Sequence, residues 1–423
     1  MGGEWRQLPF SQAVELNPRV PLRRGEAYPF VDMASVLPNA RTVQPVANRE
    51  FKGGGSRFLA GDTLMARITP CLENGKIAQF VQDANRLTSP AHGSTEFIVI
   101  RGRNGLSDTS FAYYLTKWDE LRDYAISQMS GTSGRQRVPV DCFDHFIVSL
   151  PKLSEQRAIA HILGTLDDKI ELNRRMNETL EAMAQVLFKS WFVDFDPVRA
   201  KMEGRDTGLP PHIADLFPDR LVPSELGEIP AGWDTYSLDE LATHHSKTLA
   251  PSSSPESEFE HYSIPAFDTG FSPAIELGSA IKSNKTIVPD NAILLSKLNP
   301  EIPRVWIPEH RDSRKQICST EFLVFTPAGP GQLSLLFSLF TDESFRALLQ
   351  SMVTGTSKSH QRVPVRALKK CVVLSGTSEL FSLFDRLVSP NLRSVLENRV
   401  MSRTLADLRD ALLPKLMSGE VKV

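Results

Sequence analysis

The sequence predicts an α+β protein: two similar domains joined by two long antiparallel helices, the halves of a pseudo-twofold internal duplication. Three observations predict it. The 423-residue chain repeats an ordered set of blocks about 225 residues apart, far beyond the period of a solenoid repeat. Each copy lies among short apolar runs punctuated by Gly, Pro, Asn and Asp, which read as short strands and irregular loops. Each copy is then followed by a long stretch whose apolar residues recur at helical spacing.

The repeat is specific. Gly131-Thr132-Ser133-Gly134-Arg135-Gln136-Arg137-Val138-Pro139-Val140 returns as Gly355-Thr356-Ser357-Lys358-Ser359-His360-Gln361-Arg362-Val363-Pro364-Val365, with one inserted residue. Upstream, Ser94-Thr95-Glu96-Phe97 returns as Ser319-Thr320-Glu321-Phe322. Further upstream, Leu64 to Pro70 is answered by Leu294 to Pro300.

Taken in order, residues 1–150 are the first strand-rich domain, with strands expected at Gln79–Val81, Phe97–Ile100 and Phe146–Val148. Phe111, Tyr114, Leu115, Trp118, Leu121 and Tyr124 place a helix between them. Residues 151–199 are the first long helix: Ser154 caps it, and no proline interrupts the run to Asp194. Ile159, Leu163, Leu166, Ile170, Asn173, Asn177, Leu180, Ala184, Leu187 and Trp191 follow alternating spacings of four and three, a coiled-coil seam with two asparagines in it. Residues 200–228 read as a Pro- and Gly-rich linker, 229–374 as the second domain, and 375–423 as the second long helix. Gly164 is expected to kink the first helix and Ser389-Pro390 to restart the second. Past those points each has about 28 residues, about 42 Å at 1.5 Å per residue. A stripe that long needs a partner, and the economical one is the other copy. In that pairing an in-register insertion would go near Leu180 and Leu405.

Hydrophobic content of 41% and charged content of 23% are those of a globular protein. No apolar run approaches the roughly 18 residues of a membrane span, and Glu4, Trp5 and Arg6 stand where a signal peptide needs a greasy stretch, so a cytoplasmic location is expected. Cys71, Cys142, Cys318 and Cys371 are scattered, giving neither a disulfide framework nor a zinc cluster. A net charge of −2 confines any affinity for nucleic acid to local basic patches. There is no phosphate-binding loop of the Gly-x-x-x-x-Gly-Lys-Ser/Thr kind and no Asn/Asp-Pro-Pro-aromatic turn of an adenine methyltransferase. His244-His245 has no ligand partners at metal spacing and is expected to be an exposed pair. No catalytic residue, metal or cofactor is expected.

Three further stretches resemble a known family over essentially the whole chain: Leu153 to Ala160, Lys189-Ser190-Trp191-Phe192-Val193-Asp194-Phe195-Asp196-Pro197-Val198-Arg199, and Ser224-Glu225-Leu226-Gly227-Glu228-Ile229-Pro230-Ala231-Gly232-Trp233. The chain resembles the specificity (S) subunits of Type I restriction–modification systems. The resemblance implies two target-recognition domains, each reading one half of a bipartite site in double-stranded DNA. It implies helices that set the spacing and dock two methyltransferase (M) subunits, with motor–nuclease (R) subunits joining for cleavage. The second helix departs from the pattern, with Leu380-Phe381 where the first has Gln156-Arg157.

Under that reading the candidate DNA-binding residues are the small, polar and basic ones of the repeats. In the first domain these are Thr132, Ser133, Arg135, Gln136 and Arg137, with Arg57, Arg67, Asn74 and Lys76 from a Gly-rich stretch. In the second they are Thr356, Ser357, Lys358, His360, Gln361 and Arg362, with Lys297 and Asn299. Hydroxyls and backbone N–H groups suit phosphates, while Arg and Gln suit guanine and adenine edges. Residues shared by both copies are expected to hold the backbone or scaffold, and residues that differ to discriminate sequence. Trp191, Phe192 and Phe195 serve either the helical core or a docking surface. A methyltransferase or nuclease with a degenerate site, and a plain coiled-coil scaffold, are the competing classes. Binding of S-adenosylmethionine and DNA footprinting separate them from the first.

Overall fold

A computed structural model describes residues 5–82, 89–132, 134–309, 314–329, 332–353 and 361–423. The chain divides into two compact units, one of Met1–Asn173 with Met401–Val423 and one of Arg174–Val400. Each unit thus takes one strand-rich domain together with a part of both long helices.

Two sheets of the first unit are formed by β1 (Val14–Leu16), β2 (Ala27–Val31), β3 (Thr42–Val43), β4 (Ala47–Glu50), β5 (Ser56–Phe58), β6 (Thr63–Ala66), β7 (Ile77–Phe80), β8 (Ala91–Gly93) and β9 (Phe97–Gly102). They form one sheet in the order β1-β9-β6-β7-β3 and another in the order β4-β2-β8-β5. Ile98 and Ile100 of β9 enter the apolar cluster around Phe111 and Leu115 of the helix Thr109–Lys117. Phe97 and Val99 enter a second cluster, around Phe58 and Phe80. Side chains alternate faces along a strand, and with a core on each face the run is apolar at every position. Asp108 starts the helix by accepting from the Ser110 and Phe111 amides.

The second unit repeats this topology with β10 (Ala242–His245), β11 (Thr248–Leu249), β12 (Glu258–Tyr262), β13 (Ala274–Leu277), β14 (Lys285–Ile287), β15 (Ile293–Ser296), β16 (Val305–Trp306), β17 (Lys315–Cys318) and β18 (Phe322–Pro327). One sheet runs β10-β18-β15-β16, matching β1-β9-β6-β7; the other runs β11-β14-β17-β12-β13, matching β5-β8-β2-β4 with β11 added. The pairing senses agree: β8 lies parallel to β2 and antiparallel to β5, and β17 lies parallel to β12 and antiparallel to β14. Leu323 and Phe325 of β18 enter one cluster, Phe322 and Val324 another, as in β9.

The long helices span Leu153–Phe188 and Ser378–Ser418, and neither is broken at Gly164 or at Pro390. Gly164 lies inside the first, where the Arg41 guanidinium donates to its carbonyl at 3.1 Å; a Cβ there would lie 3.0 Å from that guanidinium. The glycine admits a close contact. Pro390 lies inside the second helix, between the core residues Val388 and Leu392, whose burial offsets the lost hydrogen bond. Within each unit the two helices pair antiparallel. In the first unit Arg409 meets Asp167 and Ser402 meets Asn173; in the second Asn398 meets Asn177 and Phe384 meets Phe188. Both seam asparagines bond across the pair, at 3.2 Å from Asn173 to Ser402 and 2.9 Å from Asn398 to Asn177. This register places the turn around Val395, not Leu405, opposite Leu180.

The departure at the second helix start has a local cause. Buried Gln156 donates to the carbonyls of Leu106 and Pro151 and accepts from the Asp108 amide, a polar staple. In the second unit Leu380 and Phe381 are buried instead, and Phe381 packs so closely on Gly376 that a Cβ there would lie 2.4 Å from the ring.

Residues 200–228 are not a free linker. The helix Pro211–Ala214 and the hairpin Leu221–Ser224/Gly227–Pro230 lie here, and Ile213 and Phe217 are buried in the core of the second unit. The aromatics that close the first long helix are buried too: Trp191 is edge-on to Phe217 at 5.3 Å, Phe192 packs on Phe384, and Phe195 on Trp233. They belong to the core and not to a docking surface. Among the described residues no helix is long and apolar enough to cross a membrane.

Candidate nucleic-acid interface

The shared blocks form the same clamp in both units. Arg137 grips Glu96 with both arms of its guanidinium, Nε to Oε2 at 2.9 Å and Nη2 to Oε1 at 2.8 Å. Arg362 grips Glu321 in the same way, at 3.0 Å for each arm. Around each clamp the backbone repeats bond for bond. Arg67 N donates to Glu96 O and Lys297 N to Glu321 O; Val138 N donates to Arg67 O and Val363 N to Lys297 O; Thr69 N donates to Gln136 O and Asn299 N to Gln361 O. The hydrogen bond from Arg137, and then its charge, hold the Glu96 carboxyl below its ordinary range despite partial burial. The shared residues therefore hold the scaffold.

Several candidates already hold partners within their own unit. Arg137 and Arg362 engage carboxylates, and the Arg67 Nη2 donates to the Val138 carbonyl at 2.8 Å. Lys76 donates to the Met33 carbonyl at 2.9 Å; at the matching place the second unit has Arg304, buried and tied to Asp268. The Gln136 backbone N–H donates to the Thr69 hydroxyl at 3.1 Å, and Lys297, Asn299 and Gln361 are half-buried. Thr132 and Arg135 are exposed in their turn, and Asn74 in the turn after Pro70. Ser133, Thr356, Ser357, Lys358 and His360 lie outside the described residues.

Arg57 and Arg67 of the Gly-rich stretch lead to a surface that the motifs pointed to only in part. Two adjoining depressions of the first unit, of about 590 and 360 Å³, share Gly55 and Thr95. Arg49 and Lys52 line the larger, Arg19, Arg57 and Arg67 the smaller, with Glu50 the acid among them. Five cations to one carboxylate make a local basic patch on a chain of net charge −2. The floor is an aromatic stack. Arg49 lies 4.1 Å over the Phe30 ring, Phe30 and Phe51 both meet His92 edge-on at 5.0 and 5.4 Å, and Arg57 lies 4.8 Å over Phe51. His92 is fixed in turn by its Nε2 against the Arg49 carbonyl at 3.1 Å. Gly55 is required here: its φ is +92°, and a Cβ would lie 2.3 Å from the Gly93 carbonyl oxygen. Arg19, Arg49 and Lys52 escaped the sequence reading because they stand in no repeat. Their one signal was Ala47-Asn48-Arg49-Glu50, a strand with no apolar face and exposed at every position.

The second unit carries different chemistry on the same frame. Registers through β8 and β17 place His261 where the first unit has Phe30, Ile317 for His92, Ile287 for Arg57 and Glu276 for Arg49. Glu276 is held by His261 Nδ1 at 2.5 Å. A depression of about 600 Å³ on the same sheet is lined by Ser253, Ser254, Ser257, Arg314 and Lys315, with Arg314 paired to Glu258 at 2.8 Å.

Burial pushes the Cys142 thiol up to about 11 and the Cys318 thiol up to about 12, which disfavours the reactive thiolate. His244 and His245 are half-buried, not exposed, with His245 Nε2 2.8 Å from the Thr326 hydroxyl. No described group of residues is arranged to hold a metal ion.

Residues 72–182, which contain the first clamp and most of the first long helix, match the family model of the Type I restriction modification DNA specificity domain. The chain is 25% identical to the HindI specificity subunit of Haemophilus influenzae, over 93% of this chain and 95% of that one. The chain is thus similar to the specificity subunits of Type I restriction enzymes. It is also 25% identical to the MjaIX specificity subunit of Methanocaldococcus jannaschii, over 74% of this chain and 69% of that one. The fold of the chain is similar to that of the Type I restriction-modification S subunit from M. genitalium, with a TM-score of 0.50 and 13% identity over 98% of this chain and 96% of that one.

Proposed function

We propose that the protein is a non-catalytic DNA-recognition subunit, in which each unit reads one half of a bipartite target and the paired helices set the number of bases between the halves. The observation that carries this is a sheet frame built twice on identical clamps, with different exposed chemistry on each copy. A scaffold that is repeated while its surface is not suits two different half-sites. In the first unit the contact surface is the Arg19, Arg49, Lys52, Arg57 groove, where phosphates supply affinity and base edges supply sequence. The helices dock two methyltransferase subunits, and motor–nuclease subunits join for cleavage. On the first long helix Met176, Met183 and Val186 are exposed at spacings of seven and three, an apolar stripe that suits such a partner. Cytoplasmic assembly with these partners completes the reading. The test is methylome sequencing of a host that expresses this chain with its neighbouring methyltransferase. A single gapped motif, absent without this chain, is expected; methylation unaltered by its removal refutes the role.

A further inference from the structure

The two sheets present different residues at one and the same place, and the difference decides which contacts are made there. Arg49 and Arg57 line the grooves of the first unit, each with its guanidinium carbon over a phenylalanine ring. At their places the second unit has Glu276, bonded to His261, and Ile287. A phosphate seat demands a donor or a cation in both copies, and a carboxylate or an isoleucine there is repelled or inert. A base edge accepts all three: a guanidinium forks onto guanine O6 and N7, a carboxylate accepts from an exocyclic amino group, and an apolar side chain touches the thymine methyl.

We propose that Arg49 and Arg57 are base-reading, specificity-determining residues of the first unit, both taking guanine, and that Glu276 fills the Arg49 place in the second unit, taking a base that offers an amino group to the major groove. This rests on the DNA-reading role proposed above and names the residues that carry it. Stacking on Phe30 and Phe51 holds each guanidinium plane before DNA arrives, so that little rotamer freedom is lost on forking. His92, wedged between the two rings, sets their separation. His261 does the same for Glu276, fixing one carboxylate oxygen and leaving the other to accept. Lys52 and Arg19, which stack on no ring among the described contacts, remain for the phosphates.

The experiment is selection from DNA randomised across both half-sites, using the chain assembled with its methyltransferase subunits, with the bound pool sequenced. Arg49→Lys keeps the charge and loses the fork. It is expected to weaken the guanine preference at one position of the first half-site by roughly 5- to 150-fold, with the second half-site unchanged. Arg57→Lys is expected to do so at another position of that half. Glu276→Gln is expected to alter one position of the second half-site only. Thermal melting of each variant assembly checks that it is folded; Arg49→Gln, which stays planar and has no charge, serves if the lysine variant melts early. Uniform loss of binding across all sequences, with every positional preference kept, makes these residues phosphate contacts and overturns the inference. If the unaltered assembly selects no gapped motif, the DNA-reading role itself fails, an outcome distinct from the first.

Discussion

Replacing Arg409 by methionine tests how the C-terminal helix is held in the first unit. Its Nη1 lies 2.7 Å from Asp167 Oδ1, and the Tyr114 hydroxyl donates to Asp167 Oδ2 at 2.6 Å. The Asp167 carboxylate is 5% exposed, so both charges sit largely out of water. Burial works against the Arg409 charge, but Asp167 and Asp410 more than offset it and hold the guanidinium firmly protonated. Removing one member of a buried pair strands the other, which costs about 3–5 kcal/mol. Replacing both members with apolar residues of similar volume costs far less. Arg409→Met should therefore lower the first unit's stability by about 3 kcal/mol, and Asp167→Leu/Arg409→Met should recover most of that. The assay is urea unfolding followed by the fluorescence of Trp5 and Trp118, both packed against the first unit's core, while Trp191 and Trp233 report the second. A single variant whose first-unit midpoint stays within error, or a double variant as unstable as the sum of the singles, refutes the reasoning.

Lys117 is buried near Arg409, and burial, with that charge next, pushes it down to about 8. Below pH 8 the folded and unfolded chains both hold its proton and the desolvation penalty is fully present; between pH 8 and the ordinary lysine value of 10.5 the folded chain binds fewer protons, and stability rises with pH. Lys117→Met should thus stabilise the first unit at pH 7, by a margin that shrinks as pH rises through that window, read from unfolding midpoints at pH 7, 9 and 10; a margin that grows with pH contradicts it. Inserting four residues after Leu180, matched by four near Val395, adds about one turn, or 6 Å, to each helix. The gap in the methylated motif should then widen by about two base pairs with both half-sites intact, as methylome sequencing would show; changed half-site bases at an unchanged gap would mean that the helices are not the ruler. Met183→Glu/Val186→Glu leaves the buried helix seam untouched and should abolish co-purification of the methyltransferase subunit while the thermal midpoint holds; unaltered co-purification removes the stripe from the docking surface.

Much of the architecture was legible because it was written twice. The apolar run Phe97 to Ile100 and its copy Phe322 to Phe325 marked central strands, and the three-and-four spacing from Ile159 to Leu187 marked a paired helix. The breaks at Gly164 and Pro390 were misread because local propensity weighs little against a buried stripe once Arg41, Val388 and Leu392 are in place. The segment 200–228 read as linker because its few apolar residues are scattered among Pro and Gly, yet Ile213 and Phe217 supply part of a core.

The sequence by itself determined the duplication, the class of fold and the family resemblance, since those depend on order and spacing along the chain. It also determined that residues common to both copies serve the frame, as Glu96 with Arg137 and Glu321 with Arg362 do. Only the tertiary structure decided which cations are paired within the frame and which lie over aromatic rings at the surface. Arg137, Arg362, Lys76 and Arg67 look the same in sequence as Arg49 and Arg57, but partners distant in the chain claim the first four and aromatic rings display the other two. A charge is committed by what the fold brings within about 3 Å of it, and no local pattern records that.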